Sequence, residues 1–208
     1  MGPQGHNQTL KVPTTVKFAV SFLTALVLTI GSTPVSSTIP ATLGGTWADD
    51  SPFDSRKVVP FVPTPQAVVD RMIELAGVKQ EDVVYDLGSG DGRIVIAAAK
   101  KGAKAVGFEI DPELVGTARA NIKKAGVEER AEIRNEDILT ADLSGASVIT
   151  LYLLPDVNLK LKPRLLAQLK PGSRIVSHAF DMGDWRPDKI EQVEGRTIYL
   201  WSIPAHKR

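Results

Sequence analysis

The sequence predicts a single α/β domain: a seven-stranded, mostly parallel sheet with a C-terminal antiparallel hairpin, set after an N-terminal hydrophobic segment. Three observations carry that expectation. Short apolar runs of strand type alternate with helical patterns from Val83 onward, as in a parallel sheet covered on both faces. Glycines punctuate the alternation at Gly77, Gly88, Gly102, Gly126 and Gly172. The stretch 181–190, before the last two apolar runs, is too short for a helical crossover, so the chain must turn back as a hairpin.

The elements follow in order. Residues 58–65 (VVPFVPTP) form an extended, proline-punctuated lead-in. Thr64 and Pro65 are expected as N-cap and first residue of a helix. In it Val68, Val69, Met72, Ile73 and Ala76 recur at helical spacing, and Gly77 stops it. Val83–Leu87 is the first strand, 93–101 an Ala/Ile-rich helix closed by Gly102, and 105–109 the second strand. Asp111 and Pro112 cap a helix running to Gly126. Residues 131–134 and 147–153 are the third and fourth strands. Leu159, Leu161, Leu165, Leu166 and Leu169 mark a helical segment, expected to be interrupted at Pro163 and ended by Gly172. Residues 174–180 are the fifth strand; 189–193 and 197–203 form the hairpin.

Composition narrows the function. The 208 residues carry 25 Lys+Arg against 24 Asp+Glu, which argues against a dedicated nucleic-acid coat. Cysteine is absent, which removes disulfides, thiolate metal sites and a cysteine nucleophile. With only three histidines in the chain, a His-rich centre is disfavoured and no metal site is expected. No acid precedes Asp49. Lys11 and Lys17 are followed by the apolar run Phe18–Ile30 and then by a Gly/Ser/Thr/Pro-rich stretch. Residues 1–48 therefore read as a signal peptide or membrane anchor plus linker, and 49–208 as the folded domain. The apolar run is shorter than the ~20 residues of a spanning helix. Two localisations follow: membrane association through this segment, or export after its cleavage.

The candidate site is Asp86-Leu87-Gly88-Ser89-Gly90-Asp91-Gly92, between a strand and a helix. A dinucleotide fingerprint would be G-x-G-x-x-G, but Arg93 holds the last position, which disfavours a nicotinamide-dependent reductase. No G-x-x-x-x-G-K-[ST] loop is present. Asp86 and Asp91 would repel a pyrophosphate and favour a ligand with ammonium and sulfonium groups. Glu109, with Ile110 after it, ends the second strand, where a carboxylate can accept both hydroxyls of a ribose. Asp137, with Ile138 beside it, follows the third strand and can accept from an exocyclic adenine amine. These acids and the G-x-G-x-G loop describe a pocket for S-adenosyl-L-methionine.

D-x-G-x-G-x-G with an acid at the second strand and another after the third resembles the class I S-adenosylmethionine-dependent methyltransferases, whose Rossmann-like seven-stranded domain the pattern then implies. Pro60-Phe61-Val62-Pro63, 86–97 (DLGSGDGRIVIA), 151–155 (LYLLP) and 174–177 (RIVS), on to Trp185, are similar to one small subgroup. Its eukaryotic members are mitochondrial lysine methyltransferases acting on the ATP synthase c subunit and the adenine nucleotide translocase, and they too carry an N-terminal hydrophobic segment. The resemblance implies protein-lysine N-methylation of a membrane-associated protein, with a protein partner and no nucleic acid.

Methyl transfer requires a nucleophile aligned with the methyl carbon, and a lysine amine must first lose its proton. Candidates at the ends of the fourth and fifth strands are Tyr152, Asp156, Asn158, His178 and Asp181, with Phe61, Pro63 and Trp185 as pocket walls. Tyr152, Asp156 and His178 are the expected catalytic residues. Each also has a plain structural reading: strand aromatic, helix N-cap, hydrogen-bonded strand histidine. Leu153-Leu154-Pro155-Asp156 stands where an N-P-P-Y or D-P-P-Y tetrapeptide would mark methylation of a base amine or of glutamine. A small-molecule methyltransferase and a non-catalytic S-adenosylmethionine-binding module remain as alternatives.

Overall fold

The computed structural model describes residues 61–205. The hydrophobic segment expected at 18–30 and its linker lie outside the described residues. Among the described residues no helix is long and apolar enough to cross a membrane.

Seven strands form one sheet: β1 (Val83–Leu87), β2 (Lys104–Glu109), β3 (Ala131–Asn135), β4 (Val148–Leu151), β5 (Arg174–His178), β6 (Lys189–Val193) and β7 (Arg196–Ser202). Their order is β3-β2-β1-β4-β5-β7-β6. β1 to β5 pair in parallel, and β7 is antiparallel to both β5 and β6, as the short connection required. The helices are α1 (Gln66–Leu75), α2 (Arg93–Lys100), α3 (Pro112–Ala125) and α4 (Pro155–Gln168).

Side chains alternate across the strands and so feed two cores. Val84, Ala105, Val148 and Val176 pack with Val69, Val95 and Val115 of α1, α2 and α3. Leu87, Phe108, Ile149 and Ile175 pack on the other face with Leu161 and Leu165 of α4 and with Leu143. A strand buried on both faces has no polar alternation to keep, which is why β4 reads as an unbroken VITL. α3 forms as its ends dictate: Asp111 accepts from the Glu113 amide at 3.0 Å, and Gly126 closes the helix at φ +66°.

Three local expectations are corrected. Thr64 does not cap α1: the helix starts at Gln66 with Pro65 in the cap position, and the Thr64 hydroxyl instead lies 3.2 Å from His178 Nδ1. α4 runs straight through Pro163. That proline and Leu159, whose carbonyl loses the helix bond, both lie on the exposed side of α4. β5 ends at His178 rather than at 180, because Ala179 turns the chain with φ +67°.

Candidate active site

The strand order reverses between β1 and β4, and ligands of open α/β sheets sit beyond the carboxyl ends of the strands at such a point. A cavity of about 670 Å³ opens there, reached by the ends of β1, β2, β3 and β4, the start of α4 and the lead-in at 61–64.

The glycine loop is shaped by sterics. Gly88 and Gly90 lie at φ +80° and +53°. A Cβ on Gly88 would stand 2.8 Å from Leu153 Cδ2, and one on Gly90 would stand 2.3 Å from the Phe61 ring. Neither position can take a side chain without moving the wall of the cavity. The loop amides are already committed. Gly88 and Ser89 N–H both donate to the Phe108 carbonyl at 2.9 Å, Gly90 N–H to Glu109 Oε2 at 2.9 Å, and Gly92 N–H to the Ser89 carbonyl at 2.9 Å. A phosphate cradle needs such donors aimed at the ligand. Here three of them hold the loop to β2 and the Gly92 amide closes the loop on itself, so the geometry agrees with the acids in disfavouring a pyrophosphate.

The acids have distinct environments. Asp86 is only 2% exposed and sits beside Thr150 across the β1–β4 register. Thr150 Oγ1 donates to Asp86 Oδ1 at 2.6 Å. Among the described residues no cation pairs with Asp86. Burial pushes its carboxyl up to about 7, against the Thr150 hydrogen bond, with Glu109 and Asp91 adding to the rise. Asp91 is also penalised by burial, but the Arg93 guanidinium holds its carboxyl below the usual range, with Nη2 2.5 Å from Oδ2. Arg93 Nη1 also donates to the Thr64 carbonyl at 2.8 Å and so ties the lead-in to the loop. Glu109 accepts from Gly90 through Oε2 and from the Ile110 and Asp111 amides through Oε1, at 2.9 and 3.0 Å. Oε1 thus has both its lone pairs engaged, and Oε2 keeps one for a further donor. Asp137 is half-buried and accepts from the Leu139 amide at 2.8 Å.

The structure brings most of the expected residues together. Asp86, Gly88, Ser89, Gly90, Asp91, Glu109, Ile110, Asp137 and Ile138 share the cavity with Phe61, Pro63 and Tyr152. Gly92 stands behind it, packed toward Ala118 of α3. Trp185, Asp156, Asn158, His178 and Asp181 do not line it. Trp185 is no pocket wall: it packs on Trp201 with ring centroids 6.0 Å apart, and its carbonyl accepts from Trp201 Nε1 at 2.7 Å. Asp156 is exposed in the first turn of α4, where it faces the positive end of the helix dipole. It is not an N-cap either, since Leu154 holds that position. His178 is fully buried behind the wall, its ring 3.9 Å from that of Tyr152. Burial, with Arg196 adding, lowers its pKa to about 4, so it is neutral at pH 7 and contributes packing rather than a proton. Asp181 accepts from Gly183 N–H in a turn, which is its plain structural reading.

Sequence reading missed Leu154, Val157, Lys160 and Phe180, which also line the cavity. The first three needed α4 to begin at Pro155 rather than near Leu159. Phe180 needed the turn at Ala179, for which nothing in the sequence prepares.

Known proteins share this arrangement. Residues 86–189 match the family model described as ANTKMT methyltransferase domain, and residues 47–120 match one described as DNA methylase. The chain is 50% identical over 155 residues to the protein-lysine N-methyltransferase of Saccharolobus islandicus, an overlap of 72% of this chain and 96% of that one. It is 33% identical over 173 residues to a Homo sapiens lysine N-methyltransferase named for the ATP synthase c subunit, over 81% of this chain and 74% of that one. A solved structure from Salinibacter ruber, described as an RNA methyltransferase in complex with S-adenosyl-L-homocysteine, superposes with TM-score 0.68 at 59% identity. It covers 71% of this chain and 97% of that one. A cavity that repels pyrophosphate and seeks a cation thus has its explanation in the cofactor, and the chain belongs to the ANTKMT family of S-adenosylmethionine-dependent methyltransferases.

Proposed function

We propose that the domain transfers a methyl group from S-adenosylmethionine to a lysine amine of a membrane-associated protein. The observation that carries the cofactor side is Asp86: a carboxylate buried without a cation, facing a cavity of nucleoside size. The residues present fit the group. Asp86 would hold its ammonium, Glu109 a ribose hydroxyl through the lone pair left on Oε2, and Asp137 its exocyclic amine. Ser89 contributes backbone only, because its Oγ lies where a Cβ on Gly107 would stand. When bound, S-adenosylmethionine supplies a methyl carbon that passes to the amine nitrogen as the carbon–sulfur bond breaks.

The chain's own part on the acceptor side is to strip and orient the amine. Phe61, Leu154 and Phe180 make the acceptor side of the cavity apolar. Desolvation lowers an amine's pKa from its ordinary ~10.4, which is the direction that exposes the lone pair. Support for lysine comes from the relatives named above. Support for a membrane-associated target comes from the hydrophobic run 18–30.

A second reading, methylation of RNA, is favoured by the description of the Salinibacter ruber relative. The near-neutral charge weighs against it. One experiment separates them: the full chain is incubated with tritiated S-adenosylmethionine and a membrane-containing extract, followed by protease or ribonuclease. Protease-sensitive label recovered as methyl-lysine is expected. Ribonuclease-sensitive label would decide for the second reading. In the same assay Glu109→Gln, which removes the charge that ribose hydroxyls and loop amides share, is expected to raise the cofactor Kd about tenfold or more. Unchanged Kd would remove Glu109 from the cofactor site.

A further inference from the structure

Among the described residues, two that are not glycine have positive φ: Glu194 at +48° and Ala179 at +67°. Glu194 has an ordinary reason, since with Gly195 it makes the tight turn between β6 and β7. Ala179 has none of that kind. Phe180 N–H donates to the His178 carbonyl at 2.9 Å, so residues 178–180 form a three-residue turn with positive φ at its centre, a rare and strained form. Such strain persists only where the surroundings over-determine it.

Here they do. Ala179 N–H donates to the Thr197 carbonyl on β7 at 2.8 Å. Ser177 Oγ donates to the Phe180 carbonyl at 2.6 Å. Asn158, fully buried on α4, directs its Nδ2 at the carbonyls of Phe180 and Asp181, at 3.4 and 3.2 Å. The result is the placement of one side chain. Phe180 enters the cavity with its ring 6.5 Å from that of Tyr152 and within 17° of parallel. Tyr152 is in turn backed by His178.

We propose that Tyr152 and Phe180 form the acceptor wall, binding the alkylammonium of the substrate lysine and of its methylated products, and that Asn158 and the Ala179 turn are its positioning residues. The proposal rests on the lysine reading above. An aromatic face attracts an ammonium within about 6 Å of the ring without fixing a proton on it. A carboxylate at that place would hold the amine charged and unreactive. The wall therefore suits a group that must arrive as a cation, react as a neutral amine and leave as a cation.

The test uses the full chain and a protein acceptor identified by methyl-lysine labelling. Phe180→Leu keeps the apolar volume and removes the π-face. It is expected to raise the acceptor KM about tenfold with the cofactor Kd unchanged, and Phe180→Tyr is expected to restore KM. Tetramethylammonium chloride, titrated with saturating S-adenosylhomocysteine to cover Asp86, is expected to bind wild type and not Phe180→Leu. Asn158→Ala, which releases the Phe180 and Asp181 carbonyls and touches neither ring, is expected to raise the acceptor KM severalfold with the cofactor Kd unchanged, whereas Ala179→Gly, which takes the same positive φ without strain, is expected to keep KM and to keep or raise the melting temperature. An unchanged KM in Phe180→Leu, with wild type labelling lysine, overturns the wall. An unchanged KM in Asn158→Ala overturns the positioning role of Asn158 and of the turn it holds. Failure of wild type to label any lysine overturns the underlying lysine reading instead.

Discussion

Asp86→Asn is expected to raise the melting temperature of the cofactor-free protein and to weaken S-adenosylmethionine binding about a hundredfold, the order of a lost charge-assisted contact. Both effects come from the same feature. Asp86 is buried, has Thr150 as its hydrogen-bond donor, and receives no cation from the described residues. Asparagine keeps an acceptor for Thr150 Oγ1 and removes the charge that burial penalises. The sign follows from the carboxyl being raised to about 7 by burial, and by Glu109 and Asp91 after it. Between an unfolded value near 3.9 and about 7 the folded protein holds a proton that the unfolded chain does not. That contribution to stability is complete below the unfolded value and is lost as pH rises through about 7. Binding a cation expels the proton, so wild-type affinity should climb from pH 6 to 7 and level off above. The asparagine variant should show neither slope. Calorimetry at pH 6, 7 and 8 beside thermal denaturation reads both. A variant with lowered melting temperature and intact affinity would place Asp86 in the scaffold instead of the site.

The contrast between what sequence showed and what it hid is physical. The glycine loop and its acids were legible because they are local: a strand end, a turn that excludes side chains, and an acid where each neighbouring strand stops. The mostly parallel sheet and the closing hairpin followed from the alternation of elements and the connection lengths. Asp156 was misplaced because a helix turns about 100° per residue. Once α4 starts at Pro155, it is Val157 and Lys160 that reach the cavity, and Asp156 looks to solvent. His178 and Trp185 were misread because their neighbours, Thr64 and Trp201, come from distant parts of the chain. Residue spacing carries no record of such contacts. The turn at Ala179 was hidden for a further reason. Its backbone is imposed by Thr197, Ser177 and Asn158 against the preference of alanine itself.

Arg174→Met is expected to lower the melting temperature by about 10 °C and to leave cofactor affinity unchanged. β1 is bounded by two buried aspartates with opposite provisions. Asp82, just before it, accepts from Ser147 Oγ at 2.8 Å and the Lys79 amide at 3.0 Å, and it is paired with Arg174 Nη2. Burial again penalises the charge, but those hydrogen bonds and Arg174 hold its carboxyl below the usual range. Arg174 Nη1 also donates to the carbonyls of Ala76 and Gly77 at 2.7 and 3.1 Å, closing the end of α1. Methionine fills much of the same volume and supplies none of this, so Asp82 is left buried without its cation, with only the Ser147 and Lys79 hydrogen bonds, at a cost of roughly 3 kcal/mol or somewhat more. At roughly 2–4 °C per kcal/mol for a chain of this size, the loss is near 10 °C. The sign with pH is opposite to that of Asp86. A lowered carboxyl stabilises above its unfolded value and loses that contribution as pH falls, so wild type should gain on the variant from acid toward neutral pH. Melting curves from about pH 2 to 6, which span the window below the unfolded value near 3.9, measure this, and equal curves for the two proteins would remove the pair from the scaffold. Where the protein needs a buried carboxylate for its own structure, it supplies the cation from another strand. At the other end of β1 the described residues supply none, and the function proposed above gives that place to the positively charged ligand.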